Sequence, residues 1–203
     1  MGFVKSLNLG LKLSNGKYIA RMDSDDISCP DRLEKQVQYL ETHEEISILG
    51  GNIIIIDERG KSTGERKYKT SFAEIRKTMF YRNPLAHPTV MYRKSILEKI
   101  GYYDENFSMA EDYEMWLRAI KMGLIVENID EVLVNYRMSD DYHTKRSYKN
   151  WKFNLLAKVK NFNYRYFGRN SLGIVMTVAL MVAPSSMLRK LYESDKKKSF
   201  MYK

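Results

Sequence analysis

Apolar and polar positions along the chain predict an alternation of helices and short strands. Ser6–Ser14 sets Leu7, Leu11 and Ser14 on one side of a helix, and Asn15-Gly16 is its stop signal. Lys17–Met22 predicts a strand that ends in Asp23-Ser24-Asp25-Asp26. Ser28-Cys29-Pro30-Asp31 has the form of a capping box, with Ser28 as N-cap and Pro30 in the first turn. The helix it opens runs to Thr42 and is expected to bury Leu33, Val37 and Leu40. Ile46–Asp57, rich in β-branched residues and poor in charge until its end, predicts a buried strand. Glu58-Arg59-Gly60-Lys61 predicts a hairpin turn into a polar return segment. Ser71-Phe72-Ala73-Glu74 is a second capping box, with Phe72, Ile75 and Met79 as the apolar stripe of its helix. Asn83-Pro84 to His87-Pro88 predicts a loop, because each proline disfavours helix at the residue before it. A strand over Thr89–Tyr92 and a short helix over Ser95–Ile100, ended by Gly101, follow. Tyr113, Trp116, Leu117 and Ile120 recur at helical spacing, so Met109–Arg118 opens an amphipathic helix with its acidic residues in the first turn, closed by Gly123. Within it Glu114 and Arg118, four apart, read as a surface pair. Leu124–Tyr136 predicts one or two further strands.

Composition separates the two ends of the chain. With 203 residues and 44% hydrophobic side chains it can bury one sizeable core. The formal net charge is +9, yet residues 142–203 hold 14 Lys and Arg against Glu193 and Asp195, so residues 1–141 are slightly acidic. The expected organisation is an α/β domain over 1–141 and a basic, aromatic, helical tail over 142–203. Leu172–Pro184 is almost wholly apolar but too short to cross a bilayer as a helix, which takes about 20 residues. Two readings stay open for it: a helix lying in a membrane interface, or one packed on the domain. Cys29 is the one cysteine, so no internal disulfide forms, and Met1–Leu13 lacks the apolar core of a signal peptide. A cytoplasmic location, with peripheral contact to the inner face of the membrane, is the expectation.

The chemistry concentrates in two acidic stretches. Asp23, Asp25 and Asp26 would repel one another and take up protons unless a cation or several donors hold them ionised. Hard divalent ions such as Mg²⁺ or Mn²⁺ take one or two such carboxylates and leave the other positions to water and phosphate oxygens. Taken alone the cluster also suits an acidic surface turn. The second stretch, Glu111-Asp112, lies where a helix N-terminus favours negative charge whether or not it has a chemical role.

In order along the chain, Ser6-Leu7-Asn8-Leu9-Gly10, Gly16-Lys17-Tyr18, Asp23-Ser24-Asp25-Asp26, Pro30-Asp31-Arg32-Leu33, His87-Pro88-Thr89, Gly101-Tyr102-Tyr103-Asp104-Glu105, Glu111-Asp112 and Tyr136-Arg137 resemble the motifs of the family 2 glycosyltransferases. The resemblance implies an inverting enzyme on a partial GT-A (Rossmann-like) mixed sheet flanked by helices. It implies transfer of a sugar from a nucleotide-sugar donor to a saccharide or lipid-linked acceptor in cell-envelope synthesis. Asp112 would be the catalytic base. Asp25 and Asp23 would hold the divalent metal, Asp23 also touching donor ribose or sugar. Asp26 and Glu111 would lie beside the substrates. His87 would line the acceptor side or simply be a hydrogen-bonded loop histidine, and Arg137 would meet the diphosphate or pair with a carboxylate. The family's His after Tyr-Arg is replaced by Met138 and Ser139, with His143 as a substitute candidate. Relatives begin with two strands and a nucleotide-contacting loop that this chain is expected to lack, so the sheet is expected to show an unpaired edge. The alternatives are an inactive truncated remnant or interaction module of the same fold, and a nucleic-acid binder using the tail; no nucleic acid is expected, because the apolar run suits lipid better, and a homo-oligomer is allowed.

Overall fold

The computed structural model describes residues 2–138 and 148–183, together with Met187. The sheet grows outward from β3 (Ile46–Ile56), whose first eight residues are buried, as its β-branched run requires. β6 (Ile125–Arg137) lies parallel beside it, and β5 (Met91–Arg93) pairs antiparallel on the other side. β1 (Tyr18–Ala20) pairs with β5, and β2 (Ile27–Ser28) with β6, giving the order β1-β5-β3-β6-β2. β4 (Ser62–Arg66) returns along β3 through a turn in which Gly60 takes φ +81°. β3–β6 is the parallel pair among these and the other pairings are antiparallel, so the sheet is mixed, as expected.

Helices cover both faces. On one side α1 (Phe3–Leu13), α3 (Phe72–Thr78), α4 (Ile96–Ile100) and α5 (Glu111–Lys121) close a core around Ile48, Tyr92, Trp116 and Val126. On the other, α2 (Arg32–Thr42) covers Leu49, Ile53 and Leu133 through Leu40. α6 (Tyr148–Lys160) and α7 (Phe167–Val182) form a hairpin whose Ala157 enters the first core. β1 is an edge strand, and α1 leaves Phe3, Leu9 and Leu13 exposed.

Several expectations are corrected. Ser28 belongs to β2, and α2 starts at Arg32 with Asp31 as its N-cap. Its buried face is Arg32, Gln36 and Leu40, whereas Leu33 is 55% and Val37 36% exposed. Hydrogen bonding decides this: Gln36 donates to the Leu49 and Thr89 carbonyls, and Arg32 to the Arg21 carbonyl at 2.8 Å. Apolar periodicity cannot see polar residues that carry out backbone satisfaction in a core. Thr89 leaves the strand for a 3-10 turn (His87–Thr89), where its hydroxyl donates to the Ala86 carbonyl at 2.8 Å. α1 begins at Phe3, three positions before the expected start, and α7 at Phe167, ahead of the apolar run. Glu114 is fully buried, so its pair with Arg118 is not on the surface; Asn161 and Lys160 of the hairpin reach the same carboxylate. Ser139, His143 and Pro184 lie outside the described residues.

Candidate functional site

The first acidic stretch lies at the end of the sheet where parallel β3 and β6 finish, the end at which open α/β sheets place their ligand crevice, and the second is within electrostatic reach of Arg21 and Asp23. β1 stops at Ala20, Arg21 N–H donates to the Val90 carbonyl at 2.9 Å, and the chain turns over Asp23–Asp26 before entering β2. β6 is shifted in register against β3 at Gly51 and Asn52, irregularities that bend a strand. Its last residue, Arg137, then grips the acidic turn. The Arg137 N–H donates to Asp26 Oδ1 at 2.8 Å, and its guanidinium donates to the carbonyls of Asp25, Asp57 and Glu58 at 2.9 Å each. The side chain is thus spent on main-chain carbonyls.

Within the turn the three carboxylates have different surroundings. Asp23 is clamped by the Arg21 guanidinium, one N–H donating to Oδ2 at 2.7 Å and another to Oδ1. The Asp25 carboxylate is exposed and makes no hydrogen bond or ion pair with a described residue. Asp26 is buried, with Oδ2 lacking any partner among the described residues. Burial, helped by the charges of Asp23 and Asp25, pushes its pKa up to about 6.

Facing this turn is the N-terminus of α5, entered through Ala110 at φ 58°, φ ψ values that glycine tolerates more readily than alanine. Glu111 is buried and Asp112 partly exposed. Asp112 Oδ2 accepts from Asn83 Nδ2 at 2.6 Å, and Oδ1 accepts from the Tyr113 N–H at 2.7 Å. Burial raises the pKa of both carboxyls, and the Asp112 charge raises Glu111 further. His87 is buried beside them, its Nδ1 3.8 Å from Glu111 Oε1 and its Nε2 2.9 Å from the Tyr103 hydroxyl. Burial, then the nearby Arg21 charge, holds the imidazole well below its ordinary pKa, so it is neutral at pH 7 and its contact with Glu111 is no ion pair.

Arg21 joins the two stretches. Its charge lowers the pKa of Glu111, Asp112 and Asp26, and the Asp23 carboxylate is near enough to raise Glu111. Sequence reasoning missed Arg21, Asn83 and Tyr103 as parts of the site. An arginine closing an apolar strand just before a carboxylate cluster was the available signal for the first; the other two come from segments far away in sequence.

Two groups of donor atoms could take a cation. His87, Glu111 and Asp112 offer ligand atoms within 4.8 Å of one another, but His87 Nε2 is held by Tyr103 and both Asp112 oxygens are occupied. The Asp23–Asp26 turn offers hard oxygens alone, with the Asp25 carboxylate and the buried Oδ2 of Asp26 unpartnered among the described residues. That donor set fits Mg²⁺ or Mn²⁺.

Comparison with known proteins bears on the same residues. The profile of glycosyl transferase family 2 matches residues 1–101. The chain is 32% identical over 203 residues to an amylovoran biosynthesis glycosyltransferase of Erwinia amylovora, covering 97% of this chain and 74% of that protein. It is 35% identical to an uncharacterized glycosyltransferase of Haemophilus influenzae, covering 95% of this chain and 73% of that one. Among solved structures, S. aureus TarS 1–349 in complex with UDP-GlcNAc superposes with a TM-score of 0.61 at 17% identity, covering 87% of this chain and 52% of the other, a likeness of fold. The chain therefore spans about three quarters of these relatives and about half of that structure. With its GT-A-like mixed sheet and these sequence relationships, the chain belongs to glycosyl transferase family 2.

Proposed function

We propose that this chain moves a sugar from a nucleotide diphosphate donor to an acceptor hydroxyl, in polysaccharide or lipid-linked saccharide assembly, with inversion at the anomeric carbon. One observation carries the reading: the acidic turn after β1 and the acidic N-terminus of α5 share one electrostatic site through Arg21. The relatives support it. Besides the amylovoran enzyme they include, at 26% identity, a UDP-Gal:alpha-D-GlcNAc-diphosphoundecaprenol beta-1,3-galactosyltransferase of Escherichia coli.

In this reading Asp112 takes the acceptor proton as the hydroxyl attacks, and its carboxylate is oriented for that by Asn83 and the Tyr113 N–H. Burial raises its pKa, while the Tyr113 N–H, Asn83 and Arg21 lower it. Neutral His87 lines the acceptor side without adding charge. Asp25 and Asp23 would hold a divalent ion, with Asp26 beside them, and Arg137 keeps the turn in shape. A bound Mg²⁺ or Mn²⁺ would neutralise charge gathering on the leaving diphosphate. For Asp23 to ligate, the Arg21 clamp must loosen, leaving that guanidinium free for a phosphate oxygen.

Calorimetric titration of UDP-sugars into the chain tests the reading, once with Mn²⁺ and once with EDTA. Donor binding that depends on the metal supports it. Absence of heat from every donor under both conditions would leave the inactive-remnant reading in its place.

A further inference from the structure

α7 is built with its polar side inward. The residues it turns to the rest of the protein are Asn170, Gly173 and Thr177, all buried. They are satisfied there: Lys158 Nζ donates to Thr177 Oγ1 at 2.5 Å and to the Gly173 carbonyl at 3.2 Å, and Asn170 Nδ2 donates to the Tyr166 carbonyl at 3.0 Å. A Cβ at Gly173 would fall 2.2 Å from the Phe80 carbonyl oxygen, so the helix backbone lies directly on the chain just after α3. The opposite side carries Leu172 (51% exposed), Val175 (63%), Met176 (45%) and Val182 (79%). Steps of three and four gather these on one face. A helix at the water-exposed surface of a domain has the reverse pattern, apolar inward and polar outward.

Charge identifies what covers this face. Residues 148–183 contain Lys149, Lys152, Lys158, Lys160, Arg165 and Arg169, and no Asp or Glu. Arg165 and Arg169 are exposed at the start of α7. A symmetric contact with a second copy would set one cationic hairpin against another, whereas an anionic lipid surface matches both the apolar stripe and the cations. At 16 residues α7 is shorter than the roughly 20 a span requires, and no helix of the described residues is long and apolar enough to cross a membrane.

We propose that the outward face of α7 is a docking surface for an anionic phospholipid bilayer, the helix lying in the interface with Leu172, Val175, Met176 and Val182 among the acyl chains and Arg165 and Arg169 at the headgroups. This does not rest on the glycosyltransferase reading, because the test needs no donor or acceptor. The full chain is mixed with vesicles of phosphatidylglycerol and phosphatidylcholine, or of phosphatidylcholine alone, and floated on a density gradient. Binding to the anionic vesicles that weakens with salt is expected. Val175→Asp should reduce it by about tenfold or more with an unchanged thermal midpoint, since the side chain is exposed; Met176→Ser with Val182→Ser is the gentler variant should the first lose its fold. Arg165→Gln with Arg169→Gln should weaken binding by roughly fivefold for each charge removed. Failure to float with anionic vesicles, equal flotation with neutral ones, or indifference to the stripe variants would overturn the proposal. So would a concentration-dependent dimer that Val175→Asp dissolves, which would assign the face to a second copy.

Discussion

Burial works against ionisation at Asp26, Glu111 and Asp112, and the Arg21 guanidinium works for it. A base must be deprotonated to act, and a raised pKa moves the pH at which this happens upward. The acid limb of kcat/KM for sugar transfer should therefore lie above the ordinary carboxylate range. Arg21→Gln removes a positive charge that favours the Asp112 carboxylate and should shift the limb to higher pH; an unchanged or lowered limb would contradict the arrangement. Asp112→Asn should lower kcat by about 10²- to 10⁴-fold and leave donor affinity within a few-fold, the size of effect expected when a general base is lost. Loss of donor binding in that variant would place the residue elsewhere in the mechanism. At this scale the carboxylates were legible from sequence, because clustered acids announce their own repulsion. Arg21 was not, since one cation in a short strand gains its meaning only from groups that folding brings around it.

Among the elements, the hairpin shows how polar groups set packing that apolar spacing leaves open. Lys158 is buried among Gly173, Thr177 and the Tyr113 ring, and burial lowers its pKa from 10.5 to about 8. Between those two values the unfolded chain binds the proton more readily than the folded one, so stability contributed by this group rises with pH across that window and falls as pH drops through about 8. Lys158→Met should remove this rise, so the variant should lose ground to the wild type between pH 8 and 10.5 in chemical denaturation. At pH 7 the variant should be at least as stable, because an apolar chain of similar volume carries no desolvation cost. Gly173→Ala should cost about 1–3 kcal/mol, through the clash with the Phe80 carbonyl, and loosen α7 from the domain. The same kind of effect overturned the reading of α2: Arg32 and Gln36 go inside because the Arg21, Leu49 and Thr89 carbonyls require donors, and Leu33 and Val37 are left outside.

For the whole molecule, the hairpin and the acidic site are tied to the same scaffold. Fully buried Glu114 receives Arg118 from its own helix and Lys160 and Asn161 from the hairpin, and Lys160 also holds Asp104 at 2.6 Å. Glu114→Ala would strand these donors and should lower stability by roughly 3 kcal/mol, or about 6–12 °C in Tm for a chain of this size. Asp25→Ala, at an exposed carboxylate without a partner among the described residues, should leave Tm almost unchanged while abolishing the effect of Mn²⁺ on donor binding, which separates a ligand from a structural role. The order of the longer strands and helices as far as β6, the acidic turn at a strand end, the capping of α3 by Ser71 and the family itself were all present in the sequence, because periodicity, capping and motif spacing are local properties of a chain; β2 was not, being two residues long and paired with distant β6. Tertiary structure alone decided that β3 and β6 run parallel, that Arg21 joins Asp23 to Glu111 and Asp112, and that α7 turns its polar residues inward. Each of these depends on which distant groups share one buried, low-dielectric space, and the linear order of residues does not carry that information.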